Sequence, residues 1–151
     1  MKNDLVRVVL AFAALFVGAA LEDLLPVVAG VGFPVLLGLV IFAAMEWPTA
    51  VWIPVALAGG ALEEALSGLP VGTGTAFFMA LGTLVGWTRA PYACMLFAFP
   101  VYELWLGVWM EDLNGSIFVR TLLAFPAGAV TCFLAAATMS WMQRKAGVDA
   151  R

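Results

Sequence analysis

The sequence predicts an all-α integral membrane protein, a single compact bundle of six transmembrane helices with both termini in the cytoplasm. Three observations carry that prediction. The 151 residues are 64% hydrophobic and only 11% charged, with a mean hydropathy of +1.05, whereas a soluble domain is nearer half apolar and a quarter charged. The apolar residues gather into six runs, each near the roughly 20 residues a helix needs to cross a bilayer. The cations are also one-sided. With the N-terminus inside and six spans, Lys2, Arg7, Arg89, Arg144, Lys145 and Arg151 fall on the cytoplasmic side and Arg120 falls outside, which is the positive-inside pattern.

The first span is expected over 5–21, stopping at Glu22-Asp23 with Pro26 closing the turn. Lys2 and Arg7 flank its start, but the run is too long for the core of a signal peptide and more runs follow, so no cleavable leader is expected. The second span, 27–45, stops at Glu46-Trp47-Pro48, and Pro34 inside it removes one helical hydrogen bond and predicts a bend. The third, 49–66, carries Pro54 one turn inside its start and ends in a Ser67-Gly68-Leu69-Pro70 turn. The fourth is short, 74–87. Thr88-Arg89-Ala90 links it to the fifth, 91–110, where Pro91 suits the first helical position and Pro100 predicts a kink. A polar turn at 111–115 leads to Ser116, which can cap the sixth span, 117–142, bent at Pro126. Linkers this short make successive helices antiparallel neighbours. Trp47, Trp52, Trp87 and Trp141 are expected at the inner headgroups, and Trp105 and Trp109 at the outer ones.

The chain's chemistry concentrates in Gly60-Ala61-Leu62-Glu63-Glu64-Ala65-Leu66-Ser67-Gly68-Leu69-Pro70-Val71-Gly72. A carboxylate at membrane depth is expensive and normally faces protein or water. On a 3.6-residue helix Glu64 stands over Gly60 and Ala61, while Glu63 points about 100° away over Gly59 and Gly60. Both acids rest on small residues, so another helix can approach closely. Ser67 gives Glu63 a local partner, so Glu63 can equally end at headgroup water. Glu64 is expected to need a partner from another helix and to take the buried structural role. Glu103 lies about seven residues before the outer end of the fifth helix, roughly 10 Å deep. Arg120 sits near the start of the sixth, where the macrodipole disfavours a cation. An outer-half cluster of Glu63, Glu64, Glu103 and Arg120 is therefore expected. Its pairing stays open: Arg120 with Glu103, which is the favoured partner, with Glu64, or with lipid phosphate.

A ridge of small residues, Ala124, Gly128, Cys132, Ala136 and Ser140, recurs every four positions along the sixth helix, and Ala11, Ala14 and Gly18 share a face of the first. Such ridges let helix backbones approach, and internal packing is the favoured use of this one. A second copy of the chain is an allowed partner. Other chemistry is absent from the composition. There is no histidine, so no histidine-activated nucleophile and no histidine metal ligand. Cys94 and Cys132 have no metal or redox spacing and read as small core residues. Gly72-Thr73-Gly74 lacks the lysine of a phosphate loop, and no stretch is basic enough for nucleic acid. No catalytic residue, cofactor or metal is expected. Membrane lipid is the first expected partner.

The Gly60–Gly72 segment resembles the pattern of the bacterial rod shape-determining MreD family, in which a glycine-rich helix ends in an acid, followed by Leu-Ser-Gly and a Pro-Leu-Gly turn. Gly60 lies in the glycine-rich part, and Glu64, Ser67, Gly68, Pro70 and Gly72 match the later places. Glutamate stands where aspartate is commoner, and Val71 where leucine is. Length, span count and short loops agree in outline. The resemblance implies a non-enzymatic scaffold of the inner (cytoplasmic) membrane in the elongation machinery. It implies binding to an MreC-like scaffold protein and, through it, to an actin-like cytoskeletal filament and the wall-synthesising glycosyltransferase and transpeptidase. The alternative is the substrate-binding membrane subunit of an energy-coupling-factor vitamin transporter, also six-helical. In that reading the outer cavity holds the vitamin and the small-residue face of the first helix docks the transport partner. A small proton-coupled carrier using Glu103 is a further alternative.

Overall fold

The structure, a computed structural model, describes residues 2–25, 27, 32–88, 91–110 and 116–145. The expectations for Pro26, Arg89, the 111–115 turn and Arg151 fall outside these residues, as do those for the side chains of Lys2 and Cys94. Six helices follow in order: α1 (Lys2–Leu24), α2 (Val35–Glu46), α3 (Thr49–Ser67), α4 (Thr73–Thr88), α5 (Pro91–Trp109) and α6 (Ser116–Lys145). No strand occurs among the described residues. Leu5–Leu24, Thr49–Ser67 and Ser116–Lys145 are long and apolar enough to cross a membrane. The exterior is greasy as well: Phe16, Phe118, Leu122 and Phe133 are all more than 60% exposed. These are the features of a membrane protein.

The shortest helix holds the centre. Every residue of α2 from Leu36 to Ala44 is buried, and α1, α3, α4 and α6 all pack on it. A helix that is apolar all round has no face to give to water and belongs inside. The second helix was expected from 27 but starts only at Val35. Pro34 accounts for this. Its ψ of 79° is not helical, it stands as the N-cap rather than as a bend inside the helix, and a proline biases the residue before it away from α geometry. At 1.5 Å per residue α2 is about 18 Å long, well short of a hydrocarbon core of about 30 Å. Its N-terminus therefore opens inside the bundle.

The other elements follow their local signals. Pro48 precedes α3 in extended geometry, and Gly68 ends it in the left-handed region at φ 68°, with its N–H on the Glu64 carbonyl. Pro91 opens α5, while Pro54, Pro100 and Pro126 lie inside helices. α3 packs most extensively on α4, and α5 on α6. The α6 ridge is used within the molecule. Ala124, Gly128 and Cys132 are buried, Ala136 and Ser140 half-buried, and Gly128 lies directly against the Phe99 ring of α5. The next stripe, Thr131 and Ala135, meets Gly38 of α2. On α1, Ala11, Ala14 and Gly18 are buried too, with Gly18 against Leu39.

Two tryptophans depart from expectation. Trp47 and Trp52 are 5% and 7% exposed, not interfacial. Trp47 stands edge-on to Phe42 with centroids 5.8 Å apart, and the Trp52 ring covers Gly82 of α4. A large ring opposite a glycine fills space that no headgroup can reach, so packing overrides the interfacial preference of tryptophan.

Candidate functional site

The C-terminal ends of α1, α3 and α5 gather with the N-terminal ends of α2, α4 and α6 at one end of the bundle, and the polar chemistry sits there. A helix N-terminus leaves four N–H groups without internal partners and carries partial positive charge. For α2 that end is inside the molecule, and Glu22 of α1 answers it. Its Oε2 accepts from Leu36 N–H at 3.4 Å, with the Val35 N–H directed at the same carboxylate.

Glu64 serves α4 in the same way. Its carboxylate accepts from Gly72 N–H at 2.9 Å and from Thr75 N–H at 2.6 Å. The partner that sequence reasoning sought in another helix is thus the backbone that opens α4, and Glu64 is half-buried rather than buried. Two glycines make the reach short. A Cβ on Gly60 would lie 2.5 Å from the Thr75 Cα, and one on Gly74 would lie 3.0 Å from the Glu64 Cγ. The rest of the motif closes the turn. The Pro70 carbonyl accepts from the Thr73 N–H and hydroxyl at 3.1 and 2.7 Å, and Gly72 turns the chain at φ 93°. Replacing Glu64 by leucine should remove a cap of about 1 kcal/mol. Amide hydrogen exchange at Gly72 and Thr75 should then speed up while the α2 amides stay protected; unchanged exchange at both amides would show that the carboxylate does not hold the turn.

The buried acid is Glu63, at 6% exposure. Its carboxylate accepts a hydrogen bond from the Tyr102 hydroxyl of α5. Ser67, expected to serve that carboxylate, donates instead to the Glu63 backbone carbonyl at 2.5 Å. Tyr102 is held by aromatic neighbours, with Phe77 and Phe78 centroids at 5.2 and 6.0 Å. The bond therefore joins α3 to α5 through a positioned ring.

These groups border a cavity of about 330 Å³ over the α2 N-terminus, lined by Glu22, Glu63, Tyr102, Glu103 and Arg120 with Leu66, Leu106 and Met110 as apolar wall. Arg120 acts electrostatically on Glu103 and also donates to the Ser116 hydroxyl at 3.5 Å. Of the expected outer-half cluster, Glu63, Glu103 and Arg120 share this cavity. Glu64 does not line it, because its carboxylate is turned to α4. Sequence reasoning missed Glu22, read only as a turn residue, and Tyr102. A signal existed for the tyrosine: its neighbours one turn away, Ala98, Phe99, Trp105 and Leu106, are poor partners for a hydroxyl, and a buried tyrosine hydroxyl usually finds one.

Chemically, the cavity presents more carboxylate than cation. Glu22, Asp23, Glu63 and Glu103 line it against Arg120, a balance that favours a cationic guest. Among the described residues no group of three or more His, Cys, Asp or Glu is arranged to hold a metal ion. Compared with protein-family models, curated proteins and solved structures, the chain matches none.

Proposed function

We propose that this chain is a non-enzymatic, multi-pass scaffold of the bacterial cytoplasmic membrane, of the rod shape-determining MreD type. In this reading it binds an MreC-like scaffold protein and, through it, the actin-like filament and the wall-synthesising glycosyltransferase and transpeptidase. Both termini are cytoplasmic and the chain crosses the membrane six times. The observation that supports the reading is what the motif residues do together. Gly60 admits α4, Glu64 ties its first turn, and Gly68, Pro70 and Gly72 shape the chain between. The product is a braced hairpin whose tip, Val71, is 97% exposed. A rigid apolar tip clear of its own bundle suits contact with a partner protein.

The test is capture of a tagged MreC-like protein from membranes. Val71→Asp changes nothing buried, so the fold should persist while capture falls at least tenfold, about the 1.4 kcal/mol that one modest interface contact supplies. Capture by the unaltered chain that Val71→Asp leaves intact would remove the tip from the interface.

A second reading, the vitamin-transporter subunit, is favoured by one observation, the cavity bordered by Glu63, Tyr102, Glu103 and Arg120. It loses another, because the α1 small-residue face that was to dock the transport partner is buried, with Gly18 against Leu39 of α2. Copurification of an ATPase module in place of wall-synthesis proteins would favour it over the scaffold.

A further inference from the structure

We infer that the groove between α1 and α6 is a binding site for an anionic phospholipid, its chain lying in the groove and its phosphate at the end of the bundle where α1 begins and α6 finishes. This inference does not rest on the scaffold reading; it stands on a different part of the molecule.

α1 and α6 both pack on α2 but scarcely touch each other. Between them runs a groove of about 460 Å³, with Ala13, Val17 and Leu21 on one wall, Leu134, Thr138 and Met142 on the other, and Leu39 of α2 in the floor. Thr131, also in the lining, already has its hydroxyl on the Ala127 carbonyl at 2.7 Å. The lining is otherwise nearly all apolar, so the body of the occupant must be apolar.

The charge at one end selects the rest of the occupant. On a helix, residues three, four and seven apart share a face. The α6 wall follows Thr131, Ala135, Thr138 and Met142, and the next position in that stripe is Lys145, with Arg144 beside it, both exposed. The α1 wall follows Ala14, Gly18 and Leu21, and Arg7, seven residues before Ala14 on the same stripe, is buried at 8% exposure and offers no exposed charge. The two walls run antiparallel, so the exposed cations of α6 stand at the end of the groove where α1 begins. The groove is thus an apolar slot with two exposed cations, Arg144 and Lys145, just beyond one end. A long apolar chain with an anionic head matches both features. A transmembrane helix of another protein matches only the apolar part, and in lipid no hydrophobic force drives it there. A phosphate near Lys145 and Arg144 gains electrostatic attraction at a membrane surface.

The experiment is native mass spectrometry of the full chain in micelles containing equimolar phosphatidylglycerol and phosphatidylcholine. Phosphatidylglycerol should be retained about fivefold over phosphatidylcholine, the order one basic residue supplies near a membrane surface. Ala13→Phe and Thr138→Phe, both at exposed lining positions, should fill the slot and abolish that retention with the unfolding temperature unchanged. Lys145→Glu, at the exposed end of α6, tests the head independently of packing and should make the two lipids equal. Equal retention of the two lipids by the unaltered chain overturns the inference, as does an undiminished preference in Lys145→Glu. Loss of a copurifying membrane protein in the filled variants, with phosphatidylglycerol still bound, would assign the groove to a partner helix and overturn it as well.

Discussion

Gly60→Ala should destabilise the protein by about 1–3 kcal/mol, the range for a methyl forced into a filled core, whereas Gly86→Ala should be neutral or stabilising. The difference is in what each new methyl meets. At Gly60 it would stand 2.5 Å from the Thr75 Cα, 2.7 Å from the Thr75 nitrogen and 3.0 Å from the Gly74 carbonyl carbon. These are backbone atoms, so the only relief is for α4 to withdraw. Withdrawal moves the Thr75 N–H, which is the donor to Glu64 at 2.6 Å, and packing and cap are lost together. At Gly86 the nearest atom is 3.9 Å away, and alanine simply has the better helix propensity by up to about 1 kcal/mol. Thermal unfolding of both variants in micelles makes the comparison. Equal stability would mean that α3 and α4 do not approach as closely as described.

Tyr102→Phe is the second large effect. The ring still fits against Phe77 and Phe78, so little packing is lost. What goes is the hydroxyl that donates to Glu63, leaving a carboxylate at 6% exposure without that donor. A buried acceptor stripped of its partner costs about 1–3 kcal/mol, and more when charged. Glu63→Leu in the same chain should recover part of that loss, because removing both members of a buried polar pair is milder than removing one. A double-mutant cycle on unfolding free energy reads the coupling. Additive effects would show that the α3–α5 bond contributes nothing to stability. The order of importance inferred from spacing changes accordingly: Glu64 holds a turn, whereas Glu63 holds two helices together.

The sequence by itself determined the helices with clear local punctuation. The runs at 49–66, 74–87, 91–110 and 117–142 became Thr49–Ser67, Thr73–Thr88, Pro91–Trp109 and Ser116–Lys145, because glycine and proline act at their own positions whatever surrounds them. It also identified the Gly60–Gly72 segment and, among the polar side chains that border the cavity, Glu63, Glu103 and Arg120, since charge stands out in an apolar chain. The start of α2 escaped because 27–45 is an unbroken apolar run in which Pro34 reads equally as a bend or a beginning. Periodicity assigns a residue to a face but does not say which helix that face meets. Only the tertiary structure decided that α2 is the central helix, that Trp47 and Trp52 lie in the core, and that Tyr102 reaches across 39 positions to Glu63. Those outcomes depend on which surfaces fill each other's space, a property of the assembled bundle rather than of any one segment.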